Sequence, residues 1–120
     1  MWTYSQSTGR LSRDGVRCGI GYSGLGGDKD NPVDQTVIGQ GPIPAGAWKI
    51  GTPHADAQLG PHVMSLTAEP GTDTFGRSAF FVHGDSLAHP GQASHGCLIL
   101  SLPLREAISS SGDTCLTVVA

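Results

Sequence analysis

Three of the five histidines and one of the three cysteines fall within residues 83–97, which read His83-Gly-Asp-Ser-Leu-Ala-His89-Pro-Gly-Gln-Ala-Ser94-His95-Gly96-Cys97. A thiol beside an imidazole can be deprotonated and attack a carbonyl carbon. A glycine-bent approach such as Ser94-His95-Gly96 lets backbone N–H groups face the oxyanion that forms. Cys97 is therefore a candidate nucleophile and His83 a candidate general base. The Leu98-Ile99-Leu100 run that follows Cys97 also suits an inert core cysteine. His83, His89, His95 and Cys97 are all metal-ligand types, but their spacings of six, six and two lack the tight pairs of zinc sites. Asp85 could orient a histidine. His54 and His62 lie in polar, proline-flanked stretches and read as surface residues.

Short apolar runs punctuated by Gly, Pro, Asn and Asp must position these groups. Strands are expected over residues 2–6, 16–22, 47–50, 63–67, 79–83 and 115–119. The chain contains 18 glycines and 8 prolines. A long glycine-rich connection at 23–38 is a candidate lid over the cleft. The stretch Gly41-Pro-Ile-Pro-Ala-Gly-Ala-Trp48 reads as a proline-fixed approach to a strand. Residues 103–110 form the one helix candidate, with Pro103 in its first turn and Gly112 just past its end. Six or seven strands and one short C-terminal helix predict a mainly β, single-domain sandwich or barrel-like fold with long loops, spanning 1–120.

Composition narrows the function. Hydrophobic residues make up 38% and charged residues 14% of the 120-residue chain, which suits a single globule with a polar uncharged surface. Seven basic against ten acidic residues give a net charge of −3, with only scattered arginines, so nucleic acid is not an expected partner. No apolar run approaches the roughly 18–20 residues that span a bilayer, and no membrane insertion is expected. The N-terminal stretch has neither the basic start nor the apolar body of a secretory leader. The chain is thus expected to be made in the cytoplasm without a signal peptide. Three cysteines are too few for a disulfide framework.

The pair His83-Gly84 and Ser94-His95-Gly96-Cys97, preceded by the Gly41–Trp48 stretch, resembles the L,D-transpeptidase (YkuD-like) catalytic domain. Gly21-Tyr22-Ser23-Gly24, Asn31-Pro32, Gly-Pro-Ile-Pro, and Arg77 followed by Phe81-Val82-His83-Gly84-Asp85 extend the match. Taken in this order, they are similar to the compact L,D-transpeptidase-like antibacterial effectors of type VI secretion systems. The resemblance implies a YkuD-like fold in which Cys97 is the nucleophile and His83 its base. Ser94 and His95 would be supporting residues, and the N–H groups of Gly96 and Cys97 an oxyanion hole. It implies no cofactor or metal.

The implied substrate is the peptide stem of bacterial peptidoglycan. The thiolate attacks the carbonyl of the diamino acid at position three, expels the terminal D-alanine, and leaves a thioester for water or an amine to resolve. Many members of the broad family carry Arg two residues after the cysteine, where Ile99 stands here. Arg77 and Arg105 are the candidate replacements for a carboxylate contact, and with Gly84 and Asp85 they make up the expected substrate-binding set. An injected effector needs no leader of its own. The implied partners are therefore a secretion apparatus and a cognate immunity protein, with action in the target cell's periplasm. An oxidising periplasm would also permit a Cys18–Cys115 disulfide. The competing readings are an inactive peptidoglycan-binding or interaction module on the same fold, and a His/Cys metal-binding protein.

Overall fold

A computed structural model describes all 120 residues. Ten strands form one sheet system: β1 (Trp2–Ser5), β2 (Arg10–Arg13), β3 (Val16–Ile20), β4 (Tyr22–Ser23), β5 (Gly46–Ile50), β6 (His54–Asp56), β7 (Gly60–Ala68), β8 (Phe80–His83), β9 (Leu98–Ile99) and β10 (Cys115–Val119). The order across the sheet is β3-β2-β1-β10-β5-β7-β8-β9-β4, with β6 added on β7. The outermost strands, β3 and β4, are separated in sequence only by Gly21. The sheet therefore curls until its two edges meet at that residue, giving a nearly closed barrel-like form. Gly21 N–H donates to Gly9 O at 2.8 Å, and a Cβ at residue 21 would collide with the Ile99 carbonyl, so only glycine fits this seam.

The interior is filled by residues that alternate along the strands, as a half-buried sheet requires. Trp2 and Tyr4 of β1, Trp48 and Ile50 of β5, Met64 and Leu66 of β7, Phe80 and Val82 of β8, Leu98 of β9, and Leu116 and Val118 of β10 form one apolar cluster. Trp48 is its largest fully buried side chain. Its ring meets Phe80 edge-on at 5.0 Å, and its Nε1–H donates to Pro44 O at 3.0 Å. The proline-fixed approach thus holds the indole by its polar end.

The single α-helix, α1 (Leu102–Ser111), carries Pro103 in its first turn and ends on Gly112 at φ 69°. It buries Ile108 and Arg105. No helix is long and apolar enough to cross a membrane. The 23–38 connection contains two 3-10 turns, Gly26–Asp28 and Pro32–Asp34, the second opened by Asn31 Oδ1 accepting from Val33 N at 3.2 Å. Buried groups fix this loop: Gln6 Nε2 donates to Gln35 Oε1 at 3.1 Å and to Ile43 O at 2.8 Å.

The mainly β expectation and the C-terminal helix are borne out, with ten strands in place of six or seven. The cysteine pairing is corrected. Cys18 lies on β3 and Cys115 on β10, with β2 and β1 between them, so three strand spacings of about 4.8 Å separate the two lines. A disulfide needs Cα atoms within about 7 Å. Both thiols are free and exposed.

Trp48→Ala is expected to cost about 3–5 kcal/mol, from lost burial and the cavity left against Phe80. Urea denaturation of the two proteins measures this. A loss below about 1 kcal/mol would show that the indole is not the centre of the core.

Candidate active site

The site rests on a parallel pair. β8 and β9 run alongside each other in register Val82↔Leu98 and His83↔Ile99. Parallel neighbours require a crossover of about a dozen residues, and residues 84–97 supply it as loop. Val82 and Leu98 face the core. His83 therefore points to the opposite face, and Cys97, just before β9, is its diagonal neighbour across the two strands.

His83 is 3% exposed, and its Nδ1 lies 2.8 Å from Gly84 O. A carbonyl can only accept, so Nδ1 carries the proton and Nε2 keeps its lone pair. Burial pushes the His83 pKa below its usual 6.5, the Gly84 carbonyl opposes the shift, and Arg105 adds to it. The ring is a neutral base at neutral pH. It borders an open cleft of about 780 Å³, which it shares with Gly84, Asp85, Arg105, His89 and His95.

Cys97 lines a second, smaller cleft of about 300 Å³, with Ile38, Gly39, Arg77, Ala79, Phe80 and His95. His95 borders both clefts, and its Nδ1 lies 3.1 Å from Gly39 O, which ties the crossover to the glycine-rich connection. The Cys97 thiol donates to Ala79 O at 3.7 Å and makes no hydrogen bond to His83. Ala79 holds a left-handed φ of 62°, a conformation costing a non-glycine residue about 1 kcal/mol or more. Burial pushes the Cys97 thiol up, while the Phe81 backbone and Arg77 pull it down by less. At rest the thiol is therefore held as S–H.

Ser94 is fully buried and ties the crossover to itself. Its Oγ accepts from Gly24 N at 2.8 Å and from Gly96 N at 3.2 Å, and donates to Cys97 O at 2.6 Å. Ser23 works alongside it, with Oγ donating to Gly96 O at 3.2 Å and accepting from Ile43 N at 2.8 Å. The oxyanion expectation is narrowed accordingly. Gly96 N–H is spent on Ser94, and Cys97 N–H remains the candidate donor. Gly96 sits at φ 136°, and a Cβ there would collide with the Arg77 guanidinium.

Two other expected roles change. Arg77 was expected to meet a substrate carboxylate, but its Nη1 donates to Gln35 O and Pro42 O, and its Nη2 to Gly41 O and His95 O. With Phe80 beneath it at 5.3 Å, it joins the loop before β5 to the approach to Cys97. Asp85 does not orient a histidine. Its carboxylate accepts from Tyr22 Oη at 2.6 Å, Ser86 N at 2.8 Å and Gly91 N at 3.1 Å, closing the 86–91 loop. Burial and Asp85 hold the Tyr22 phenol up at about 12, so it stays a donor, while accepting from Ala93 N at 3.0 Å. His83, His89, His95 and Cys97 do not gather into a metal-holding cluster. Arg105 remains beside His83, as one wall of the larger cleft.

Sequence reading missed Tyr22, Ser23 and Ala79 as parts of the site. Tyr22 and Ser23 lie within a stretch used only for the resemblance, and Ala79 carries no signal of its backbone strain.

The fold is similar to a solved L,D-transpeptidase (Yku) from Stackebrandtia nassauensis, with a TM-score of 0.56 at 17% identity. The alignment covers 99% of this chain and 54% of the other, so the chain spans about half the length of that protein. This defines the class of fold as YkuD-like. Residues 19–111 match the Tlde1 domain, and the chain belongs to the Tlde1 domain family, in agreement with the resemblance to L,D-transpeptidase-like type VI effectors. No curated protein matches it.

Ser94→Ala strands two buried N–H donors and the Cys97 carbonyl. It is expected to lower stability by about 2–4 kcal/mol, since each unsatisfied buried group costs about 1–3 kcal/mol. Chemical denaturation of the purified variant measures this. An unchanged midpoint would mean that the crossover is held by other bonds.

Proposed function

We propose that this chain is a cysteine-dependent acyl-transfer enzyme acting on the tetrapeptide stems of peptidoglycan, and that it serves as an antibacterial effector. One observation carries the reading. Cys97 lines the smaller cleft, diagonally across a parallel strand pair from His83 on the larger one, and the Nδ1–H of His83 is committed to a backbone carbonyl. Membership of the Tlde1 domain family and the likeness to an L,D-transpeptidase fold support it.

The resting pair is thiol and neutral imidazole, so the proton moves as the substrate arrives. His83 Nε2 takes the Cys97 proton while the sulfur bonds to the carbonyl carbon of the third stem residue. Cys97 N–H faces the oxyanion. The tetrahedral adduct collapses, the C–N bond to the terminal D-alanine breaks, and the His83 imidazolium returns its proton to the leaving amine. Water or an incoming amine then attacks the thioester, with His83 again as base, and Cys97 recovers its proton. Hydrolysis yields a shortened stem, whereas an amine acceptor yields exchange or a cross-link. Ser94, Ser23 and Arg77 position the approach to Cys97 and touch no reacting atom.

As an effector, the protein would be carried by a secretion apparatus to another cell's periplasm and countered in the producer by an immunity protein. The competing reading is an inactive binding module, favoured by the thiol's contact with Ala79 O in place of His83.

The deciding experiment follows D-alanine release from purified tetrapeptide muropeptides, with and without added D-amino acid. Cys97→Ala is expected to fold and release none, and retained release in that variant would overturn the proposal. His83→Gln is expected to lose about 10²–10⁴-fold in kcat/KM, the usual worth of a positioned base. No D-alanine release from the unaltered protein would favour the binding module.

The pH profile follows from the same groups. Only neutral His83 can accept the proton, and burial lowers its pKa from the ordinary 6.5. The acid limb of kcat/KM is therefore expected to fall below pH 6.5, with activity kept at that pH. A limb centred above that value would remove His83 as the base.

A further inference from the structure

Buried arginines ordinarily lie against carboxylates, because an unpaired charge out of water is costly. This chain buries two, Arg77 and Arg105, at 7% and 6% exposure, and gives neither a carboxylate. Its ion pairs all lie around the N-terminus, joining Met1 and Arg13 to Asp14 and Asp113. Arg77 is solvated by backbone, with both of its terminal nitrogens donating to two carbonyls each.

Arg105 is different. Its Nε donates to Leu100 O at 3.1 Å, and its Nη1 to Pro61 O at 2.6 Å and His62 O at 3.3 Å. These bonds use three of the five guanidinium hydrogens. Nη2 keeps both of its own and has no partner within the protein. It lies against Gly84, where a Cβ would stand 2.7 Å away, so the missing side chain at residue 84 leaves room for it. Arg105 and Gly84 wall the 780 Å³ cleft together with His83. The acids nearby are otherwise engaged: Asp85 is held by Tyr22 and the 86–91 loop, and Glu106 is exposed on α1.

We propose that Arg105 Nη2 binds the C-terminal carboxylate of the substrate, so that the enzyme recognises stems with a free terminal amino acid. This rests on the acyl-transfer reading. In that chemistry His83 hands its proton to the leaving amine, and the carboxylate of the leaving amino acid is one carbon from that nitrogen. A cation adjoining His83 in the same cleft is where that carboxylate must lie. The same reasoning fixes the acceptor. An amine that reverses the step must occupy the place of the departed residue, so amino acids with an α-carboxylate serve in exchange and simple alkylamines do not. Arg105 thereby takes the carboxylate-binding role expected of an arginine after the nucleophile, where this chain has Ile99.

The test compares a tetrapeptide stem ending in a free carboxylate with the same stem ending in a carboxamide. For the unaltered protein, kcat/KM is expected to favour the acid by about 30-fold, the value of one hydrogen bond to a charged group. In Arg105→Met that ratio is expected to fall to near one. Because Arg105 also holds three carbonyls, Gly84→Ala provides a second variant. Its methyl would stand 2.7 Å from Nη2 and 3.6 Å from Nη1, so it crowds the free nitrogen first and covers its open side, and the ratio is again expected to collapse. Binding of both peptides to Cys97→Ala, measured by calorimetry, separates this proposal from the catalytic one. Preference for the acid there, without turnover by the unaltered protein, keeps the Arg105 site and removes the chemistry. Turnover with equal use of acid and amide removes the Arg105 site and keeps the chemistry. Binding of neither peptide, or an acid preference that survives both Arg105→Met and Gly84→Ala, overturns the proposal.

Discussion

The parallel pairing of β8 with β9 is the constraint on which the rest of the molecule depends. Strands joined in this way cannot be linked by a tight turn, and in most proteins a helix makes the return. Here the return is irregular backbone. Residues 84–97 must leave the end of β8, travel to the start of β9 and arrive in register, or Cys97 would sit beside the wrong residue. A slip of one position would also turn Leu98 out of the core. The packing of Leu98 against Val82 therefore enforces the placement of Cys97 relative to His83.

Irregular backbone near the core carries peptide groups that helix or sheet would otherwise satisfy. This chain satisfies them with side chains whose several donors or acceptors reach more than one segment. Ser94 joins the 23–38 connection to the crossover, Arg77 joins the approach to Cys97 to the residues before β5, and Asp85 closes the outer part of the crossover against Tyr22. The low charge content of the sequence fits this design, since backbone carbonyls in place of carboxylates solvate the buried guanidinium groups. It also explains why Gly84 and Gly96 matter. Each is the point where an arginine lies against the main chain with no space for a methyl group.

Much of the architecture could be read from residue pattern. The runs that became β1, β3, β5, β7, β8 and β10 are rich in aromatic and β-branched residues between turn formers, and the helix is bracketed by Pro103 and Gly112. β2 and β6 were illegible because Arg-Leu-Ser-Arg and His-Ala-Asp contain almost no apolar signal; they form by pairing with neighbours that have it. β9 is two residues long and hidden in an apolar run that would suit any buried segment. In the site, Cys97, His83 and the Ser-His-Gly approach were visible through type and spacing. The partners of Arg77 and Asp85 were not, because carbonyls 35–42 and the Tyr22 hydroxyl reach them only after the barrel has closed. Side-chain chemistry told what each residue could bind, and the closure of the sheet decided what it met.

That closure also governs protonation. Burial acts in opposite directions on Cys97 and His83, favouring the uncharged form of each: it raises the thiol's pKa and lowers the imidazole's. Arg105, lying against Gly84, pushes the imidazole further the same way. A preformed thiolate–imidazolium pair is thus disfavoured in the empty site. A protonated thiol resists the oxidation and exchange to which thiolates are prone. In the proposed reaction the ion pair would form only in the presence of a carbonyl to attack. An anionic substrate end placed against Arg105 would screen the charge that depresses the imidazole, raising its basicity at the moment it must take the proton. In the proposed reaction, recognition of the substrate and activation of the nucleophile would thus be coupled through a single guanidinium.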